Sequence, residues 1–162
     1  MLISSTNILK NKKRVSGAVS IEFALLFIIF FVIFYAIVAY AIFFLLQTSF
    51  NHAAAEGARS AISVDPQSFP STSAYLENGV VPQVRETVGQ SLSWMPMRLQ
   101  NIVLGENNSN VDVMVTVNIL TVTVSYNNYT SNPLIPLLFI PGIGSVFSPV
   151  QNIQGTASVR LS

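Results

Sequence analysis

From Phe23 to Leu46 the chain runs for 24 residues without a charged side chain, and eight of its eleven phenylalanines lie between Phe23 and Phe50. A bilayer core takes about 20 apolar residues of helix, so this run is long enough to cross one. The hydrophobic content of 51% and mean hydropathy of +0.54 are high for a soluble domain, and the excess is concentrated here. At the head of the run stands an ionisable residue, Glu22. A carboxylate in a hydrocarbon span costs up to roughly 2.5 to 3.5 kcal/mol on insertion scales, less toward the helix end, so its presence asks for a partner.

The net charge of +1 conceals an asymmetry. Lys10, Lys12, Lys13 and Arg14 all precede the apolar run and no acid does, whereas the flank after Leu46 carries Arg59 against Glu56 and Asp65 in its first twenty residues. The positive-inside rule then predicts a cytoplasmic N-terminus and an exported C-terminus. Removal of residues 1–17 would leave four basic and seven acidic residues, a formal charge of −3, which gives no electrostatic case for binding nucleic acid. With no cysteine, neither a disulfide nor a thiolate ligand or nucleophile is available, and one histidine leaves zinc-site spacings unfilled. No metal and no cofactor is therefore expected.

A secretory signal peptide with cleavage after Ala39-Tyr40-Ala41 would also begin with basic and then apolar residues. Signal apolar regions run about 7 to 15 residues, however, while Ala18 to Leu46 is 29, and Glu22 would be an unwanted polar group in one. An ordinary uncleaved anchor explains length and topology but gives no reason for Glu22 or for the small residues Ser16, Gly17 and Ala18 before it.

The helical pattern continues past the apolar run. Phe50, Ala53, Ala54, Gly57, Ala58 and Ala61 form a stripe at three- and four-residue spacing, while Gln47, Asn51, Glu56, Arg59 and Ser63 fall largely elsewhere on the wheel. Asp65-Pro66 provides the stop. A helix over 18–64, with a span of about 18–46 and an amphipathic extension over 47–64, would be roughly 70 Å long, so its outer half is expected to pack on a domain. Small residues in the stripe suit close approach to a sheet or to another helix. Glu56 and Arg59 are expected to pair on the helix surface, and His52 to be solvated.

Residues 65–162 read as an exported domain. Asp65 to Gly79 reads as a loop with at most a short helical turn, and Pro82 opens a second helix with Val84, Val88 and Leu92 on one face. Trp94 is expected as a core anchor. Val111, Val113, Val115 and Val117 alternate with polar residues, and the apolar phase then slips to Leu120, Val122, Val124 and Tyr126, which implies a bulge or break near Ile119. An earlier strand is expected around Asn101 to Leu104, joined by a polar turn at Glu106 to Asn110, and a last antiparallel strand carries Ile153, Ala157, Val159 and Leu161. The apolar, Pro-rich connection over 133–149 needs cover of some kind, and the N-x-S/T triplets at Asn107 and Asn128 are read as chance occurrences. The expected architecture is α+β, a long N-terminal transmembrane helix continuing into a small domain with an antiparallel sheet. No nucleophile sits beside a base, no carboxylate pair stands out and no Gly-rich phosphate loop occurs, so no enzymatic activity and no small-molecule substrate are expected.

The stretch "SGAVSIEFALL" resembles the processing site of type IV prepilins, in which a membrane peptidase cuts after a glycine and the mature chain carries Glu at its fifth position. Counted from Ala18, Glu22 is the fifth residue. Further on, "NHAAAEGARSAI" is similar to the N-A-A-x-E-G-A-R stretch after the membrane helix of TadE-like proteins, minor pilins or pseudopilins of Tad (tight adherence, Flp-type) pilus systems. The later "VTVSYNNYTSNPLIPLL" and "TASVRLS" also resemble that family's closing pattern. The resemblance implies a type IV pilin-like fold, a leader over 1–17 and a processed bond between Gly17 and Ala18. It also implies assembly and register roles for Glu22 and Phe23, and a helix motif made by Ala54, Glu56, Gly57, Ala58 and Arg59. Cleavage would expose an α-amino group at Ala18, mostly protonated at neutral pH. In the pilin pattern Glu22 pairs with such an amine on its own or a neighbouring subunit, which offsets desolvation and sets the axial register of packed helices. Implied partners are the membrane, a prepilin peptidase, other pilins and the pilus platform proteins. The implied location is the inner (cytoplasmic) membrane in a single pass, with passage to the pilus or cell surface after assembly. An uncleaved, membrane-anchored extracytoplasmic binding or sensor protein is the alternative.

Overall fold

The computed structural model describes residues 15–127, 129, 139–140, 144–145 and 152–161. The basic arm Lys10–Arg14, the triplet at Asn128 and most of the connection 133–149 lie outside them. The chain forms two compact units, Met1–Val38 and Ala39–Ser162.

Helix α1 runs over Val15–Ser60 and is continued by a 3₁₀ turn at Ala61–Ser63. Its 46 residues are more than twice what a bilayer core requires. The hydroxyls of Ser60 and Ser63 donate to the carbonyls of Gly57 and Ser60 at 2.8 and 2.7 Å, which occupies acceptors in the closing turn. Asp65 then accepts from the Gln67 amide at 2.9 Å and caps a short 3₁₀ turn at Pro66–Ser68, so the expected stop is built as a cap.

In the first unit, Val19, Ile21, Phe23 and the large side chains that follow are exposed around the helix. Phenylalanines four apart stack along it, with centroids 6.3 Å apart for Phe23 and Phe27, 6.4 Å for Phe27 and Phe31, and 6.2 Å for Phe30 and Phe34. This helix is long and apolar enough to cross a membrane, and its most apolar stretch is almost wholly uncovered by the chain itself.

In the second unit the stripe of Phe50, Ala53, Ala54, Ala58 and Ala61 is fully or almost fully buried. It packs on a three-stranded antiparallel sheet of order β1-β2-β5, made of β1 (Asp112–Thr116), β2 (Ile119–Tyr126) and β5 (Ile153–Arg160). A separate two-stranded pairing joins β3 (Phe139–Ile140) to β4 (Gly144–Ser145). Leu120, Val122, Val124 and Tyr126 point from β2 into the core, opposite Val159, Ala157, Gly155 and Ile153 of β5. Closest approach falls at Gly155, where a Cβ would collide with the Phe50 carbonyl and the Asn51 amide nitrogen. The α1 backbone therefore rests directly on β5. Close by, the Gln47 side-chain amide donates to the Gln154 carbonyl at 2.6 Å.

The third side of the core is helical. A continuous helical stretch passes from α2 (Thr72–Ala74) through a π-helical segment at Tyr75–Val80 into α3 (Val81–Ser91), replacing the loop expected up to Gly79. Ser71 caps it by accepting from the Ala74 amide, a local signal that the Ser-rich composition of the stretch obscured. Val80, Val84, Val88 and Leu92 are fully buried.

Three further sequence expectations are corrected. Residues 97–104 form helix α4 (Met97–Leu104) and not a strand: Val103 and Leu104 are buried while Arg98 and Asn101 are exposed, a helical spacing too short to be distinguished from alternation. The segment 111–126 is a hairpin and not one interrupted strand. Its two-residue turn is Val117-Asn118, with φ of 48° and 66°, the left-handed pair that matches the twist of the flanking strands. Thr116 pairs with Ile119 and Val115 with Leu120, so odd residues of β1 share a face with even residues of β2. The apparent slip in the apolar pattern is thus the turn itself. Trp94, expected in the core, is 51% exposed in the loop between α3 and α4.

Candidate functional site: the apolar helix and its two motifs

The residues singled out in the sequence all lie on α1, in two groups. Gly17 and Ala18 sit in its first turns and are exposed, with nothing within 4 Å of the place a Gly17 Cβ would occupy. Glycine is a poor helix former, which weakens the helix locally at this bond. Glu22 follows one turn later, on the exposed surface of a segment otherwise made of large apolar side chains. Phe23 begins the phenylalanine ladder.

The second group divides by face. Ala54, Gly57 and Ala58 point into the domain, and a Cβ on Gly57 would lie 2.7 Å from Val88 Cγ2, 3.2 Å from Val84 Cγ1 and 3.6 Å from Val122 Cγ1. The missing side chain at 57 is what lets α3 and β2 close on α1 together. Glu56 and Arg59 point the other way: Arg59 Nη1 donates to Glu56 Oε1 at 2.9 Å. His52 Nε2 stands 4.0 Å from the same carboxylate oxygen, with its side chain 70% exposed. This polar ridge is solvent-facing.

The sequence pattern already divided the motif, with Ala54, Gly57 and Ala58 in the packing stripe and Glu56 and Arg59 on the surface. Spacing alone places Glu56 and Arg59 on one side and Gly57 on the other, but the need for glycine becomes visible only once Val84 and Val88, nearly thirty residues on, are seen against it.

A largely uncovered apolar helix that enters a small α+β domain, lies along an antiparallel sheet and bears one carboxylate near its start defines a pilin-like layout. Within that class, residues 17–59 match the family described as TadE-like protein. The match covers both motif groups and ends at Arg59, so the sheet and the helices α3 and α4 lie outside it. No curated protein and no solved structure matches the chain significantly.

Proposed function

We propose that the chain is a minor pilin or pseudopilin of a Tad (Flp-type) pilus system, held in the inner membrane with its N-terminus cytoplasmic and its sheet domain exported. A prepilin peptidase cuts between Gly17 and Ala18, and the new α-amino group pairs with Glu22 of the same or a neighbouring subunit. The protein then acts without a catalytic step, by lateral association of its helix with other pilins and with the platform proteins, in priming the pilus or forming its tip for adherence. The carrying observation is one carboxylate, five residues from the Gly17–Ala18 bond counted from Ala18, on a helix whose apolar surface is exposed through Ile37. The family match over 17–59 supports the same reading. Size separates this chain from the major Flp-type subunits, which are little more than the helix, since over a hundred residues follow Leu46.

The deciding experiment is the N-terminal sequence and intact mass of the membrane-extracted protein from its native host. A start at Ala18 is expected. A start at Met1 would make it an uncleaved anchored binding or sensor protein, and a start at Ile42 would make the apolar run a signal peptide.

A further inference from the structure

The loop that joins α3 to α4, Ser93-Trp94-Met95-Pro96, and the first residues of α4 are built unlike the rest of the domain surface. Met95 is buried, but Trp94 is 51% and Met97 82% exposed, and Pro96 is exposed between them. Three apolar side chains facing water within four residues is an arrangement that marks a contact surface.

Their position along α1 says what the contact is. Trp94 borders two recesses. One, of about 200 Å³, is walled by Ile42, Leu45, Leu46, Met95, Pro96 and Leu99 and has no polar surface. The other, of about 250 Å³, is walled by Leu45, Thr48, Ser49, His52 and Ser91. Trp94 thus stands where α1 changes from its apolar run, which ends at Leu46, to its more polar extension, which begins at Gln47. Tryptophan is enriched at that level of membrane proteins because its ring is apolar and its N–H is polar.

The charge agrees. Between Thr87 and Gly105 the one charged residue is Arg98, which is exposed and follows Met97 directly, and no acid lies on α1 between Phe23 and Ala55. A surface with an apolar centre and a single cation at its edge complements acyl chains bordered by anionic phosphates.

We propose that the Trp94–Arg98 segment is a second membrane contact: Trp94, Pro96 and Met97 enter the headgroup region of the bilayer, an acyl chain fills the apolar recess against Ile42 and Leu45, and Arg98 faces lipid phosphate. The contact fixes the domain against the bilayer surface before the helix is drawn into any assembly. It rests on α1 spanning the membrane and not on leader cleavage or pilus assembly, so it stands or falls apart from those.

Trp94 is the sole tryptophan of the chain, which makes it its own probe. The full-length protein is reconstituted, at a high lipid-to-protein ratio, in vesicles of phosphatidylcholine with about one quarter phosphatidylglycerol, an anionic surface. Emission is read with lipids brominated near the headgroup, with lipids brominated near the chain end, and with aqueous acrylamide. Shallow bromines are expected to lower the intensity about twofold, as for an interfacial ring. Deep bromines are expected to act less, and acrylamide little. Met97→Glu, at a position too exposed to matter for folding, should weaken the shallow quenching, and Arg98→Gln should remove its dependence on phosphatidylglycerol. Free access to acrylamide without bromolipid quenching would overturn the proposal. Protection from both quenchers would also overturn it and would place a second protein copy over Trp94. Extraction of the chain by alkaline carbonate would overturn it together with the membrane span.

Discussion

Gly155→Ala tests whether the seat of α1 on the sheet is as close as the structure has it. Strand propensity alone predicts stabilisation, because glycine inside a strand costs about 0.5 to 1 kcal/mol relative to alanine. The contact geometry predicts the opposite. The added Cβ would overlap the Phe50 carbonyl carbon and oxygen and the Asn51 nitrogen, all backbone atoms of a helix, so no side-chain rotation relieves it. Restoring carbon contacts of about 3.5 Å requires α1 to lift by about 1 Å, a gap that forfeits up to half of each dispersion contact across the seam. Overpacked cores lose about 1 to 3 kcal/mol, and the rigid overlap here points to about 3. At about 3 to 5 °C per kcal/mol for a domain of this size, Tm should fall by roughly 10 to 15 °C. Thermal unfolding of the full-length protein in detergent micelles, followed by Trp94 fluorescence, reads this out, whereas total helicity would be dominated by the apolar half of α1. Gly57→Ala is the graded comparison, since its nearest obstacle is the terminal Val88 Cγ2 at 2.7 Å. That side chain can yield, and the loss should be nearer 1 kcal/mol. An unchanged or raised Tm in Gly155→Ala would refute the backbone-on-backbone contact.

Glu22→Ala should insert and remain cleavable yet fail to support pilus assembly, and normal piliation by electron microscopy would sink the register role. Val117→Asn should stabilise the hairpin by about 1 kcal/mol, because a β-branched residue is held at φ 48° where asparagine is tolerated; an unchanged denaturation midpoint would count against the turn. Glu56→Gln and Arg59→Gln should each shift stability by less than about 0.5 kcal/mol, as expected of an exposed pair, so a larger loss on chemical denaturation would mean the ridge is part of the core. Burial, then the neighbouring Tyr129, raises the Tyr126 phenol above its ordinary 10.0, with Arg98 opposing. A raised folded pKa means that the associated stability is whole below about 10 and is lost as pH climbs above it. Denaturation midpoints should therefore fall at alkaline pH, and Tyr126→Phe should flatten that fall.

How much of this was legible beforehand depended on the range of the interactions. The apolar run, the amphipathic extension and the Asp65-Pro66 stop are local, and they are where the sequence places them. The face of α3 with Val84 and Val88 was equally plain, because three turns of helix suffice to show a period. The hairpin was half legible: the phase slip near Ile119 was real, but Val117-Asn118 lacks the glycine that usually announces a left-handed turn, so it read as a bulge or break and not as a hairpin turn. Residues 101–104 were misread because four residues fit either period, and only burial of Val103 beside Leu104 separates them. Trp94 was assigned to the core on residue type. Its exposure is a property of where the α3–α4 loop meets α1, a tertiary fact with no local signature.

The two halves of α1 meet the same physical demand by different means. Beyond Ala39 the helix narrows its contact face to Ala53, Ala54, Gly57, Ala58 and Ala61, and the sheet and α3 close on it until nothing larger fits. From Val19 to Val38 the large aliphatic and aromatic side chains are mostly uncovered by their own chain, so lipid or other helices must supply the cover. A helix drawn from lipid into a bundle of its kind exchanges one apolar surrounding for another, which leaves little hydrophobic free energy to set its axial position. A polar group can set it, because a carboxylate in that environment is far less tolerant of misplacement than a phenylalanine. Glu22 stands at the end of the helix where an amine at Ala18 would come within reach, while Glu56 and Arg59 already satisfy each other in water. The first carboxylate is therefore the one whose removal should cost assembly, and the second the one whose removal should cost almost nothing.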